Sequence, residues 1–157
     1  MNDKYKLGDY IVHRKYIGKG SFSKIYRARH KKTNEIVAIK RIEKKNLKNI
    51  KLVLREIKVL KTLNHINILT LKNVLVTQKY FFLILDYCEK GDLKNYIDEN
   101  SLKESDIRNI LNQVKNGLQY LFEKKITHRD LKLQNILINK DNIVKIADFG
   151  FAKFSNN

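Results

Sequence analysis

The run from Ile126 to Gly150, I-T-H-R-D-L-K-L-Q-N-I-L-I-N-K-D-N-I-V-K-I-A-D-F-G, constrains the fold more than any other part of the chain. Ile136-Leu137-Ile138 and Ile143-Val144-Lys145-Ile146 read as two small strands, with a turn at Asn139 to Asn142. His128, Arg129, Asp130, Lys132, Asn135 and Asp148 stand at set places beside these strands and are not core filler. Asp130, Asn135 and Asp148 offer the hard oxygen ligands that Mg²⁺ takes alongside phosphate oxygens. Asp130 is also a proton acceptor, and Lys132 is a cation close to it in sequence. Metal ligands, a base and positive charge are the requirements of phosphoryl transfer.

The preceding chain supplies further parts. Tyr10 to Ile17 and Ile25 to Arg29 read as strands around a turn at Gly18-Lys19-Gly20-Ser21-Phe22-Ser23. Glycines there let backbone N–H groups approach phosphate oxygens, although a glycine pair is by itself more often a plain hairpin turn. After a turn at Thr33-Asn34, Glu35 to Ile42 forms a third strand, on which Lys40 shares a face with Ala38 and Ile36 and opposes Val37 and Ile39. Such a lysine either snorkels to solvent or holds phosphates. Ile50, Val53, Leu54, Ile57, Leu60 and Leu63 recur at helical spacing, which sets Glu56 on or beside the inward stripe. A bare inward carboxylate is costly, so Glu56 calls for a cation, and Lys40 is the candidate. His65 reads as a cap or turn residue. Leu69 to Val76 and Tyr80 to Asp86 read as a hairpin that completes a five-stranded antiparallel sheet. A polar, glycine-containing stretch follows from Asp86 to Leu93. Leu93 to Glu99 reads as a short helix. Ser105 to Phe122 reads as a longer one, with Ile107, Ile110, Leu111, Val114, Leu118, Leu121 and Phe122 on one side. Ser101 or Ser105 is expected to cap a helix start, with Glu104 and Asp106 near its positive end.

H-R-D-L-K-L-Q-N resembles the catalytic loop of protein kinases, and D-F-G at Asp148-Phe149-Gly150 resembles their metal-binding motif. Val37-Ala38-Ile39-Lys40 is similar to the V-A-I-K element, and Gly18, Gly20, Ser23 and Ile25 to G-x-G-x-x-G-x-V with serine as the third glycine. The resemblance implies an α+β, protein-kinase-like fold. It has a complete N-lobe over residues 1–86 (five-stranded antiparallel sheet plus one helix), a hinge over 87–92, and an incomplete, mainly helical C-lobe over 93–157. It implies ATP and Mg²⁺ as cofactors. Ile17, Gly18, Lys19, Gly20, Ser21, Phe22, Ser23, Ile25 and Ala38 then lie against the nucleotide, with the 18–23 loop covering its phosphates. Lys40, held by Glu56, orients the phosphates, as active protein kinases require. Leu85 backs the adenine pocket, backbone near Asp86 and Cys88 bonds the adenine edge, and Asp92 takes the ribose hydroxyls. Asn135 and Asp148 bind magnesium, Asp130 accepts the proton of the substrate hydroxyl, and Lys132 steadies the transferred phosphoryl group. Lysine at 132 resembles serine/threonine more than tyrosine kinases. G-K-G-S-F-S at Gly18, D-Y-C-E-K-G-D-L at Asp86 and I-A-D-F-G-F-A-K at Ile146 look closest to the autophagy-initiation (Atg/ULK-type) kinases.

Two departures stand out. Isoleucine occupies position 66, where related kinases often carry proline, and the absence of any proline rules out an A-P-E element. Phe151 to Asn157 resembles only the start of an activation segment. The expectation is a truncated domain whose Ser105–Phe122 helix lacks apolar neighbours, an exposed stripe that favours association or poor solubility. Two readings follow: a serine/threonine kinase acting on a protein hydroxyl, or a pseudokinase-like nucleotide-binding regulatory module with little or no turnover.

The formal charge of +17 points either to an acidic partner or to lysines scattered over solvated faces. The partners expected are a serine/threonine protein substrate, a regulatory protein, and peripheral membrane contact through the basic surface. Nucleic acid is disfavoured; a binder of that kind would be salt-sensitive and indifferent to ATP. No apolar run is long enough to cross a bilayer and the N-terminus lacks a secretion signal. With Cys88 as sole cysteine, the expected setting is reducing and cytoplasmic.

Overall fold

The computed structural model describes residues 3–20, 22–45 and 47–155. Two compact units emerge, one of Met1–Leu54 with Leu71–Tyr87, the other of Arg55–Thr70 with Cys88–Asn157.

The first unit is built on an antiparallel sheet of six strands in the order β1-β2-β3-β4-β6-β5. The five expected strands are β2 (Tyr10–Lys19), β3 (Ser23–His30), β4 (Ile36–Glu43), β5 (Leu71–Val76) and β6 (Tyr80–Asp86). The addition is β1 (Lys4–Leu7), paired with β2 from Lys4↔His13 to Leu7↔Tyr10. A two-residue turn at Gly8-Asp9 closes that hairpin, and Gly8 takes the φ of +54° that a glycine adopts without strain. The β1 segment K-Y-K-L is too short and too charged for periodicity to reveal it; pairing to β2 creates it. Alternation along β4 sends Val37 and Ile39 into a core with Tyr10, Val12, Tyr26, Ala28, Phe82 and Ile84, against which Tyr5 and Leu7 of β1 pack. Ile36, Ala38 and Lys40 face the other way and are half-buried.

Helix α1 (Leu47–Leu60) starts in the first unit and ends in the second. Val53, Glu56, Ile57, Val59 and Leu60 are buried along it. Leu54, expected on the inward stripe, is half exposed: the buried arc of Val53, Glu56, Ile57, Val59 and Leu60 is turned away from it.

The second unit contains α2 (Leu93–Glu99), α3 (Glu104–Glu123) and two short strand pairs. β8 (Ile136–Ile138) pairs with β9 (Val144–Ile146), and β7 (Ile126–Thr127) with β10 (Lys153–Phe154). The β8–β9 turn is held by the Asn139 side chain, whose Oδ1 accepts from the N–H groups of Asp141 and Ile143. Leu93, Ile136, Ile138 and Val144 form a core with Tyr96, Ile110 and Val114.

One sequence expectation fails on α3 and another holds. Neither Ser101 nor Ser105 caps it: the cap position is Lys103, whose N–H donates to Asp106 Oδ2 at 3.0 Å, and Ser105 lies inside the helix. Its apolar residues do share one side, but only one flank of that side is covered. Gly117 and Leu121 are buried, with Ile110 and Val114 against the core, whereas Ile107, Leu111 and Phe122 on the other flank are exposed, Phe122 to 83%, as expected of an apolar stripe left without neighbours. No helix among the described residues is long and apolar enough to cross a membrane.

Candidate functional site

The segment carrying the polar motif is pinned at both ends. Before it, β7 is bonded to β10; within it, β8 and β9 run in register from Ile136↔Ile146 to Ile138↔Val144. The residues following D-F-G therefore return beside those preceding H-R-D. Lys125, Arg129 and Asp148 adopt left-handed φ values of 55°, 66° and 60°. Such a conformation costs a side-chain-bearing residue roughly 1–2 kcal/mol and persists where surrounding bonds over-determine it. Those bonds are present. Ser155 N–H donates to Lys125 O at 2.7 Å, and Arg129 Nε donates to Phe151 O at 2.7 Å.

The pinned segment gathers four of its residues into a closed circuit. Asp130 N–H donates to His128 Nδ1 at 3.2 Å. His128 Nδ1 is thus the acceptor, so its proton sits on Nε2, which meets Ala147 O at 2.8 Å. Ala147 N–H donates to Asn135 O at 2.8 Å. Asn135 Nδ2 completes the ring by donating to Asp130 O at 2.8 Å and to Asp130 Oδ2 at 3.0 Å. Lys132 Nζ donates to the same Oδ2 at 2.9 Å. Two donors therefore converge on Oδ2. The Lys132 hydrogen bond, opposed by partial burial and assisted by Asn135, holds the Asp130 carboxyl below the usual carboxylate range. His128 and Asn135 are buried, and Phe149 is wholly buried with its ring edge-on to His128 at 4.9 Å.

The donor set suits magnesium. Asn135 spends its amide N–H groups on Asp130, so Oδ1 is the atom it could offer to a cation. Asp148 follows directly after Ala147, so the Ala147–Asn135 bond keeps the two residues' segments together. Asp148 Oδ1 accepts from Gly150 N–H at 3.4 Å. Two oxygen ligands plus phosphate oxygens and water are the usual Mg²⁺ set. Among the described residues no cluster of three His, Cys, Asp or Glu forms a site that would hold a metal without a nucleotide.

On the first unit, sheet register does the gathering. Gly18, Ile25 and Lys40 are successive cross-strand partners, with Leu83 the next. Ala38 lies on the same face and is paired with Leu85. Gly20 N–H donates to Ser23 O at 2.9 Å at the hairpin tip, and a Cβ on Gly20 would meet Ser23 Oγ at 2.8 Å. Ile17, Lys19 and Phe22 are exposed around it; Ser21 lies outside the described residues. Asp86 forms an ion pair with Lys72 at 3.1 Å, and Lys72 also reaches Glu35 at 2.8 Å. Burial lowers the proton affinity of Lys72, but these two carboxylates more than compensate and raise it above its ordinary value. Glu56, on the part of α1 that belongs to the second unit, is buried, as its place on the helix predicts.

On the second unit, Cys88 is half-buried, and its carbonyl accepts from Gly91 N–H at 3.1 Å. Asp92 is the N-cap of α2: Oδ1 accepts from Asn95 N–H at 3.0 Å and Oδ2 from Asn95 Nδ2 at 2.9 Å.

Three positioning residues carried no sequence signal. Buried Asn67 donates from Nδ2 to Gln113 Oε1 at 3.0 Å and Val144 O at 2.9 Å, while its own carbonyl accepts from Ile146 N–H. Gln113 Oε1 accepts in turn from Val144 N–H at 2.9 Å. Gly117 lets α3 approach this bonding set, since a Cβ there would lie 2.9 Å from Ile146 Cδ1 and 3.0 Å from Asn67 O. His65, expected as a turn residue, accepts from Asn67 N–H at 3.0 Å and stacks on Tyr120.

A profile described as "Protein kinase domain" matches residues 11–157. Over 161 residues the chain is 41% identical to serine/threonine-protein kinase atg1 of Dictyostelium discoideum, covering 95% of this chain and 24% of that protein. It is 34% identical over 152 residues to the human hormonally up-regulated neu tumor-associated kinase, covering 94% of this chain and 21% of the relative. The chain thus spans about a quarter or less of the length of these relatives.

Proposed function

This chain belongs to the protein kinase family, and from that premise we propose that it is an ATP- and Mg²⁺-dependent serine/threonine kinase that moves the γ-phosphoryl group to a protein hydroxyl. The observation that carries the reading is the circuit of Asp130, His128, Ala147 and Asn135 with Lys132 on the Asp130 carboxylate. A structural turn does not require a lysine, an asparagine amide and a histidine all spent on orienting one aspartate.

The chemistry follows from where the donors sit. Lys132 and Asn135 both bond Oδ2, so Oδ1 is the atom that receives the substrate hydroxyl. With its proton affinity lowered, Asp130 stays ionised and orients that hydroxyl before taking its proton late, as suits a loose transition state. Lys132 keeps further N–H groups for the transferred phosphoryl oxygens. Asn135 Oδ1 and the Asp148 carboxylate would hold the metal, which when bound neutralises charge on the phosphate oxygens. Gly18 to Ser23 would cover the phosphates with backbone N–H groups, and Lys40 would orient them. Glu56 keeps the role of counter-charge that the family pattern gives it. Ala38 and Leu85 would line the adenine site, Asp86 and Cys88 would offer it backbone groups, and Asp92 would retain carboxylate lone pairs for the ribose. The likeness to atg1 extends the proposal to a cytoplasmic kinase of autophagy initiation, working with a regulatory protein.

The test is transfer of labelled phosphate to serine- and threonine-containing peptides by the purified chain, compared with Asp148→Ala and Asp130→Asn. Turnover that falls by about 10²-fold or more in both variants supports the reading. Mg-ATP binding with no transfer would replace it by the nucleotide-binding regulatory module. Transfer unchanged in the variants would end it.

A further inference from the structure

The sheet face opposite Lys40 carries an arrangement that nucleotide chemistry does not use. Lys19, Lys24 and Arg41 are successive cross-strand partners on β2, β3 and β4. Register partners point to the same side of a sheet, so three cations stand in one row, and like charges directly opposite are destabilising. Lys45 and Glu43 complete the surroundings, paired with each other at 3.4 Å. Together with Tyr80, these residues line a cleft of about 320 Å³ in which four cations face one carboxylate.

Arg41 is the organised member. Its guanidinium lies over the Tyr26 ring at 5.0 Å and the Tyr80 ring at 4.9 Å. Among the described residues no carboxylate lies within ion-pair distance of Arg41, Lys24 or Lys19. A guanidinium resting against two rings is restrained by them, and its planar fork matches phosphate oxygens.

We propose that this cleft docks a phosphorylated serine or threonine on an extended segment of a partner protein. A phosphate dianion offers three acceptor oxygens, enough to bond Lys24, Arg41 and Lys19 together and relieve their mutual repulsion. Phe22, 55% exposed at the rim, suits an apolar residue beside the phosphorylated one. Base stacking is the poorer fit: Tyr26 is buried, and Tyr80 is already covered by Arg41 and approached by Lys79, which leaves Phe22 as the one open ring lining the cleft among the described residues. The concave shape argues against a lipid surface.

The test is calorimetric titration of the full 157-residue chain. The probes are a capped Ala-Leu-Ser-Leu-Ala peptide with its serine phosphorylated, the same peptide unphosphorylated, single-stranded polyuridylate, and phosphatidylserine vesicles. The phosphopeptide is expected to bind saturably and the unphosphorylated peptide not at all. Arg41→Gln and Lys24→Gln are each expected to weaken binding by about tenfold or more. Lys115→Gln, which removes an equal charge from the exposed side of α3, is expected to leave it unchanged. Lys24 makes no structural hydrogen bond, so its variant remains informative should Arg41→Gln unfold. Phosphopeptide binding absent at millimolar concentration, or as sensitive to Lys115→Gln as to Arg41→Gln, would overturn the proposal. So would tighter, Arg41-dependent binding of polyuridylate or vesicles.

Discussion

Replacing His128 by phenylalanine separates its ring from its hydrogen bonds. Phenylalanine keeps an aromatic ring edge-on to Phe149 but removes the acceptor for Asp130 N–H and the donor to Ala147 O. Ala147 is 5% exposed, so its carbonyl loses its partner in a place that water does not readily reach. An unsatisfied buried acceptor costs roughly 1–3 kcal/mol, and the lost Asp130 bond adds about 1 kcal/mol. The expected total of about 2–4 kcal/mol is a large part of a typical 5–15 kcal/mol stability. For a chain of this length it corresponds to a melting temperature lower by roughly 4–16 °C. Thermal unfolding followed by circular dichroism measures the loss. Hydrogen exchange at the Ala147 amide, which is bonded to Asn135, should quicken with it. Phosphate transfer should fall further than stability alone requires, because Asp130 and Asp148 lose their common anchor. A stability loss below about 0.5 kcal/mol, with Ala147 exchange unchanged, would refute the idea that the histidine ties the two motifs together.

Three further predictions rest on other parts of the second unit. Gly117→Ala should destabilise by about 1–3 kcal/mol in chemical denaturation, reversing the gain expected in a helix interior, because its Cβ meets Ile146 Cδ1 at 2.9 Å and Asn67 O at 3.0 Å; a stabilised variant would show that α3 shifts freely. Lys132→Met should raise the Asp130 titration midpoint, read from its carboxyl carbon by NMR, toward the ordinary carboxylate value. The sign follows from the depressed folded-state value: the stabilisation is present above the unfolded aspartate range and disappears as pH falls through the folded midpoint, so the variant loses it at higher pH. An unmoved midpoint would mean that Lys132 does not set it. Asp92→Ala should cost about 1 kcal/mol through the lost α2 cap, whereas Asp92→Asn should keep most of the cap; if Asp92 also serves the ribose, both variants weaken ATP binding, and equal nucleotide affinity in all three proteins would remove that role.

How much was legible in the chain depended on the range of the interaction concerned. The strand carrying Lys40 declared itself through alternation, and its inward Val37 and Ile39 are buried accordingly. α2 was visible to the residue, from Leu93 to Glu99, because aspartate followed by a short helical run is a local signal. The roles of Asp130, Asn135 and Asp148 were suggested by their chemistry and spacing. By contrast, β1 has no apolar pattern of its own, the cap of α3 is a backbone N–H meeting Asp106, and the buried arc of α1 takes in Val59 and leaves Leu54 outside.

The amino-acid sequence alone determined which groups are available: a glycine hairpin, a strand lysine, an inward glutamate, and a base, amide and carboxylate in one short span. Periodicity and motif spacing are properties of neighbouring residues, so they survive without any knowledge of the fold. Only the tertiary structure decided what each group touches. The buried contacts of His128 with Ala147, the threading of Asn67 between Gln113 and Val144, and the row of Lys19, Lys24 and Arg41 join residues from separate segments. Hydrogen bonds and like-charge repulsion act over a few ångströms of space, and only packing brings those segments within that range.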